Sequence, residues 1–258
     1  MEVHVLASGS TGNAALLKFD HTNILVDAGI SARRIQKKMA DTGTDIQDLD
    51  GVLITHEHRD HISGLPTLMK KYHLPVYARP DTWSAMYCRN LLPEENCNIL
   101  DDSFEIGQVK VEPFSISHDA SDPVGFNLFH QKLKCSVATD LGFATETVKK
   151  ALSLSDIMVL EANHDLEMLQ NGSYPLYLKR RIMSNRGHLS NNDAGWLLAR
   201  LSRKNHTEVM LAHLSQENNR PAIAEQTVSE ILQEQGCRLG TEVKLNMTFP
   251  DSIASLKL

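Results

Sequence analysis

No pair of cysteines in this sequence has the C-x-x-C spacing of a zinc ribbon. Cys88, Cys97, Cys135 and Cys237 stand apart, and unpaired cysteines at such spacings read as reduced thiols in a reducing compartment. Disulfides are not needed either: 258 residues, 41% of them hydrophobic, can bury a sizeable core. No apolar run reaches the roughly 18 residues of a membrane span. The opening Met1-Glu2-Val3-His4-Val5 lacks the basic start and long apolar core of a signal peptide. The expected setting is the cytoplasm, with no membrane partner. A positive excess is missing too. Formal net charge is -6, so a polyanionic substrate would require a local basic patch. Low-complexity linkers, long charge runs and short repeats are absent, and one domain over residues 1–258 is expected.

What the chain does have is twelve histidines, and their placement is informative. Gly51-Val52-Leu53-Ile54 reads as a buried strand, and Thr55-His56-Glu57-His58-Arg59-Asp60-His61 follows it. In an extended loop, residues two apart point the same way, so His56, His58 and Asp60 can converge. His61 then faces elsewhere, available to a second metal. This is not the zincin pattern, whose histidines stand four apart on a helix.

Strands are expected at 2–7, 14–19, 23–27, 75–78, 97–100, 104–106, 109–116, 124–130 and 132–139, and later at 157–161, 207–212 and 242–246. Helices are expected at 32–42, 62–72, 81–92, 145–154, 174–184, 190–203 and 220–235. Such interleaving suggests packed sheets with helices outside. The 32–42 helix carries Arg33, Arg34, Lys37 and Lys38, which suits either a solvated face or a phosphate-contacting one. Each further donor follows an apolar strand: His118 after 111–117, Asp140 after 136–139, His213 after 209–212. If the strands' carboxyl ends lie together, these side chains meet at one edge.

The His-x-His-x-Asp-His string resembles the signature of the metallo-β-lactamase superfamily. The later segments Ile116-Ser117-His118-Asp119, Ala138-Thr139-Asp140-Leu141-Gly142 and Leu211-Ala212-His213 are similar to that family's remaining motifs. The resemblance spans roughly residues 1–215. It implies an α/β (α+β) fold, a four-layer αββα sandwich. It also implies two divalent metal ions, zinc or manganese: one held by His56, His58 and His118, the other by Asp60, His61 and His213, with Asp140 bridging. Five imidazoles and two carboxylates suit such borderline cations. No cysteine occupies a motif position, which disfavours the lactamase subclass with a cysteine ligand.

Two metals about 3.5–4 Å apart generate hydroxide at neutral pH and stabilise charge on the attacking and leaving oxygens. The fold alone does not choose the electrophile. Leu160-Glu161-Ala162-Asn163-His164 and Gly187-His188-Leu189-Ser190 look like the paired segments of ribonuclease Z-like phosphodiesterases. That likeness implies His188 as general acid, Glu161 as its partner, and Asp60 as a metal ligand that also orients the hydroxide. A leaving alkoxide needs such a donor.

His164 is read as a site histidine, a substrate contact or a satisfied surface residue. Ser10, Asn13 and Arg186 join it as candidate substrate contacts; the Ser8–Asn13 loop suits either phosphate binding through backbone N–H groups or a tight hairpin turn. The interval from Asp140 to His213 leaves no room for a β-CASP insertion. The segments Ala7–Asn13, Asp27–Gly29 and Arg181–His188 resemble the YycJ/WalJ branch of the superfamily, which implies 5′-to-3′ exonuclease action on double-stranded DNA. The alternatives are an RNA-processing nuclease and a small-molecule hydrolase of a cyclic phosphodiester or thioester with the same dinuclear site; a non-catalytic metal-binding regulator is the rival from another class.

Overall fold

The computed structural model describes residues 1–258. They form two compact units: Met1–Pro113 with Ala120–Val124 and Phe249–Leu258, and Phe114–Asp119 with Gly125–Thr248.

The chain begins with a meander of apolar strands, β1 (Glu2–Ala7), β2 (Ala14–Phe19) and β3 (Thr22–Val26). Helix α1 (Ala32–Asp41) starts at Ser31, whose side chain accepts the Arg34 N–H and satisfies one orphan donor of the first turn. The chain continues through β4 (Gly51–Leu53), α2 (Arg59–Ile62), α3 (Leu65–Tyr72), β5 (Val76–Ala78), α4 (Pro80–Ala85) and β6 (Cys97–Ile99). Within this unit Leu16, Leu25, Val52 and Ile54 from the sheet pack with Ile35, Met39, Leu68 and Met69 from α1 and α3.

Next come β7 (Phe104–Ile106), β8 (Val109–Ser115), β9 (Val124–His130), β10 (Leu133–Ala138), α5 (Glu146–Leu152), β11 (Ile157–Glu161), α6 (Leu166–Asn171) and α7 (Leu176–Ile182). Then follow α8 (Asn191–Arg200), β12 (Thr207–Ala212), α9 (Pro221–Glu234), β13 (Val243–Met247) and β14 (Ala254–Lys257). Ser190 caps α8 through the Asp193 N–H at 3.0 Å. In the second unit Leu160 and Leu211 share a core with Leu197 and Leu198 of α8 and Val228 and Leu232 of α9.

One sheet runs β14-β1-β2-β3-β4-β5-β6 and the other β13-β12-β11-β10-β9-β8-β7. In the first, β3, β4, β5 and β6 are parallel. In the second, β10, β11, β12 and β13 are parallel. Parallel neighbours deliver the residues after their carboxyl ends to the same edge. That register positions Asp27 and the His56 string in one unit, and Asp140, Glu161 and His213 in the other.

Three expectations are corrected. The helix expected over 81–92 stops at Ala85. Met86 and Cys88, two residues apart, are both buried in the first core, a spacing helical rotation does not serve. Helix α6 and strand β14 were not expected. β14 pairs antiparallel with β1, with Glu2 opposite Lys257, a partnership between the two ends of the chain that local pattern does not encode.

Candidate metal centre

In the first unit the donor loop hangs on Asp27, the residue after β3. Its carboxylate accepts the Thr55 N–H at 2.9 Å, the Thr55 hydroxyl at 2.9 Å and Nδ1 of His61 at 2.7 Å. The Thr55 hydroxyl donates to Asp27, so its oxygen is placed to accept Nδ1 of His56 at 3.0 Å. Both rings therefore have Nδ1 committed to a protein oxygen, which leaves Nε2 as the nitrogen that a metal would take. Asp27 adopts a left-handed backbone, φ 63°, a strained geometry for a non-glycine residue that the surrounding hydrogen bonds must hold.

The extended-loop reading of the string holds only to His58. Residues 59–62 are the single turn α2, so alternation gives way to helical rotation there. The His61 ring is folded back to 4.1 Å from the His56 ring, and His58 lies 4.6 Å from His56, centroid to centroid. His61 nevertheless shares a potential donor group with Asp60 and not with His56 and His58, so the expectation corrected here is that Asp60 converges with His56 and His58.

Backbone hydrogen bonds pin this turn to two other loops: Asn13 N to Asp60 O, Ala28 N to His61 O, and Gly29 N to Asn13 O, each 2.8 Å. Gly29 sits so close that a Cβ there would lie 1.7 Å from the Asp60 carbonyl oxygen. Gly29→Ala is expected to cost about 3 kcal/mol, because backbone cannot move aside, lowering Tm by roughly 6–12 °C. Thermal denaturation measures it; an unchanged Tm would refute the clamp.

In the second unit, Asp140 and His213 follow β10 and β12, and both are left-handed, with φ 59° and 55°. Glu161, the last residue of β11, lies between them and is fully buried. One of its oxygens accepts Nδ1 of His188 and Nδ1 of His213, each at 2.8 Å. The other accepts the N–H of Leu141 at 2.7 Å and of Leu189 at 3.0 Å. Burial alone would raise the Glu161 carboxyl, but the His188 and His213 rings outweigh it and hold it below the usual carboxylate range. Nδ1 of His118 meets the Gly187 carbonyl at 3.1 Å. His118 and His213 therefore also have Nδ1 committed to a protein oxygen. The donor atoms of Asp140, Glu161, His188 and His213 lie within 4.8 Å of one another. Within it Glu161 is filled by four protein donors, which leaves Asp140 and His213 as the groups able to serve a metal, and their carboxylate–imidazole chemistry fits zinc or manganese.

The remaining candidates fall in different places. Ser10 is exposed. Asn13 is buried; its Oδ1 accepts the Gly9 N–H at 2.8 Å, and its Nδ2 faces the Gly9 carbonyl, Asp60 and Nε2 of His61. It braces the donor loop. Arg186 is exposed at its head and donates from Nε to the His118 carbonyl at 3.1 Å. Arg34 and Lys38 of α1 are tied to Asp251; Arg33 and Lys37 are exposed. His164 is only 2% exposed, which removes the surface-residue alternative. Burial lowers its pKa to about 4. The unfolded chain then binds the proton more readily, so stability is complete above pH 6.5 and declines as pH falls toward 4. A His164→Gln variant should show a flatter fall of Tm between pH 6.5 and 4 than the wild type; parallel curves would refute this.

Asp27 and Thr55 were not among the sequence candidates. The signal that was available is a lone Asp after an apolar strand, ahead of the histidine string.

Residues 22–214 match the model of the beta-lactamase superfamily domain. The chain belongs to the metallo-β-lactamase superfamily. It is 39% identical over 249 residues to exodeoxyribonuclease YycJ of Bacillus anthracis, covering 95% of this chain and 94% of that protein. It is 36% identical over 258 residues to exodeoxyribonuclease WalJ of Streptococcus pneumoniae, covering 98% and 96%. Among solved structures, the metallo-β-lactamase fold protein YhfI from Bacillus subtilis superposes with TM-score 0.73 at 14% identity, over 98% of each chain. Zinc-bound PqqB from Methylobacterium extorquens gives 0.72 at 16% identity over the full length of both. The fold class expected from the resemblance is the fold the chain has. As a member of this superfamily with such relatives, the protein is a metal-dependent hydrolase. None of its helices is long and apolar enough to cross a membrane, and all four cysteines are free.

Proposed function

We propose that the chain is a single metallo-β-lactamase-like domain that hydrolyses DNA phosphodiesters as a 5′-to-3′ exonuclease on duplex ends in the cytoplasm. The observation that carries the reading is the Glu161–His188 pair at 2.8 Å, beside Asp140 and His213. His56, His58 and His118 would hold one metal, and Asp60, His61 and His213 the other, with Asp140 shared. Bound there, two cations supply hydroxide near neutral pH and charge stabilisation at phosphorus.

The protein's own part is positional. Asp27, Thr55, Gly187 and Glu161 set the ring tautomers of His61, His56, His118, His188 and His213. Asp60 orients the attacking oxygen. Glu161 takes Nδ1 of His188, leaving Nε2 to deliver a proton to the departing alkoxide, a step commonly worth about 10²–10⁴-fold. Arg180 and Arg186, exposed beside this segment, offer charge to the phosphate backbone. The 36–39% identity to exodeoxyribonucleases over nearly the whole chain supports DNA over RNA or a small ester.

The test is degradation of labelled duplex DNA, RNA and a cyclic phosphodiester by protein stripped with chelator and reloaded with zinc or manganese. Loss on stripping, recovery on reloading, and preference for duplex DNA labelled for 5′ entry are expected. Binding should weaken steeply with salt, with a log–log slope of about -0.9 per phosphate engaged. Flat salt dependence with turnover of only the small substrate would favour the small-molecule reading; DNA binding without turnover would favour the regulator.

A further inference from the structure

A cavity of about 380 Å³ opens beside His188 in the second unit, and nothing in the mechanism above uses it. It is within the size range of small-ligand pockets, roughly 300–1,000 Å³. Its walls include Phe143, three residues after Asp140, and Trp196 of α8. Both aromatics are partly exposed, at 52% and 37%. Leu166, Met183 and Leu197 add apolar wall, Arg200 brings positive charge, Lys149 is paired with Glu146 at 2.7 Å, and Asp193 adds a carboxylate. The Arg200 guanidinium lies 5.2 Å from the centre of the Trp196 ring. His164 lines the same cavity although it is only 2% exposed, and its Nδ1 has no hydrogen-bond partner.

We infer that this cavity is a nucleobase slot, taking the unstacked base of the single nucleotide that carries the leaving oxygen. The inference rests on the phosphodiesterase reading and adds the identity of what sits behind the general acid. Four features argue for a base. Exposed aromatic faces recognise any base through its π-face, largely without regard to sequence. The Arg200 guanidinium suits a ligand that carries phosphate with it. His188 forms part of the wall, so a group in the cavity adjoins the ring that would protonate the leaving oxygen. A buried imidazole with an unspent nitrogen supplies a polar anchor for a base edge. A slot for one base also favours attack at an end, where one nucleotide frays more cheaply than one inside a duplex.

Two measurements test it. The first needs no turnover: titration with deoxynucleoside monophosphates should quench tryptophan fluorescence in the wild type and not in Trp196→Phe, where Trp83 alone reports. The second compares duplexes with an intact or an abasic terminal nucleotide on the strand being digested. The wild type should prefer the intact end about tenfold, the lower part of the range for one stacked base. Phe143→Ala and Trp196→Ala should each bring the ratio of intact to abasic cleavage toward one. An unchanged ratio in both variants, or quenching that persists in Trp196→Phe, overturns the slot. Saturable quenching lost in Trp196→Phe, with no phosphodiester cleaved under any metal condition, would keep the slot and overturn the hydrolytic reading instead.

Discussion

His188→Ala is expected to lower the rate constant for DNA cleavage by about 10²–10⁴-fold, and that for bis(4-nitrophenyl) phosphate by less than about tenfold. The difference follows from the leaving group. A deoxyribose alkoxide is too basic to depart without a proton, whereas 4-nitrophenoxide departs unaided. The Nδ1 side of the ring is held by Glu161 at 2.8 Å, so the substitution removes the proton carrier and leaves the neighbouring carboxylate in place. Single-turnover rates on both substrates give the comparison. Equal losses on the two would mean that His188 organises the centre and does not act as an acid.

The second large effect concerns stability. Glu161 receives four donors from three separate segments: Leu141, the His188–Leu189 pair and His213. Glu161→Ala removes all four acceptors from a fully buried position. Breaking a buried charged pair from one side costs about 3–5 kcal/mol, so Tm should fall by roughly 6–20 °C. Glu161→Gln should recover little of this, because an amide turns an NH₂ group toward donors that need an oxygen. Denaturation of the three proteins after chelation separates this effect from metal loss. Full recovery in the glutamine variant would show that charge and acceptor count do not matter there.

These two residues differ in how far the sequence disclosed them. His188 and Glu161 were identifiable as a pair by resemblance, because each lies in a short motif. That one carboxylate serves His188 and His213 together was not, since 52 residues separate Glu161 from His213. Asp27 is the sharper case. It acts through Nδ1 of His61, 34 positions away, and only the parallel pairing of β3 with β4 brings the two together. Asn13 carried a polar motif residue's signature, and its amide is turned inward on Gly9 and Asp60. Residue type shows that a group can hydrogen-bond, not whether its partner is substrate or backbone.

The amino-acid order by itself determined the donors and the strands behind them. Metal-ligating residue types at close spacing after apolar runs are a local property, and the continuous apolar runs of the buried strands behind them are local as well. The direction each donor faces was decided by the tertiary structure. The turn at Arg59–Ile62 and the left-handed residues Asp27, Asp140 and His213 are held by hydrogen bonds from distant segments. Such bonds depend on which strands lie side by side, and the chain settles that only when its cores are buried.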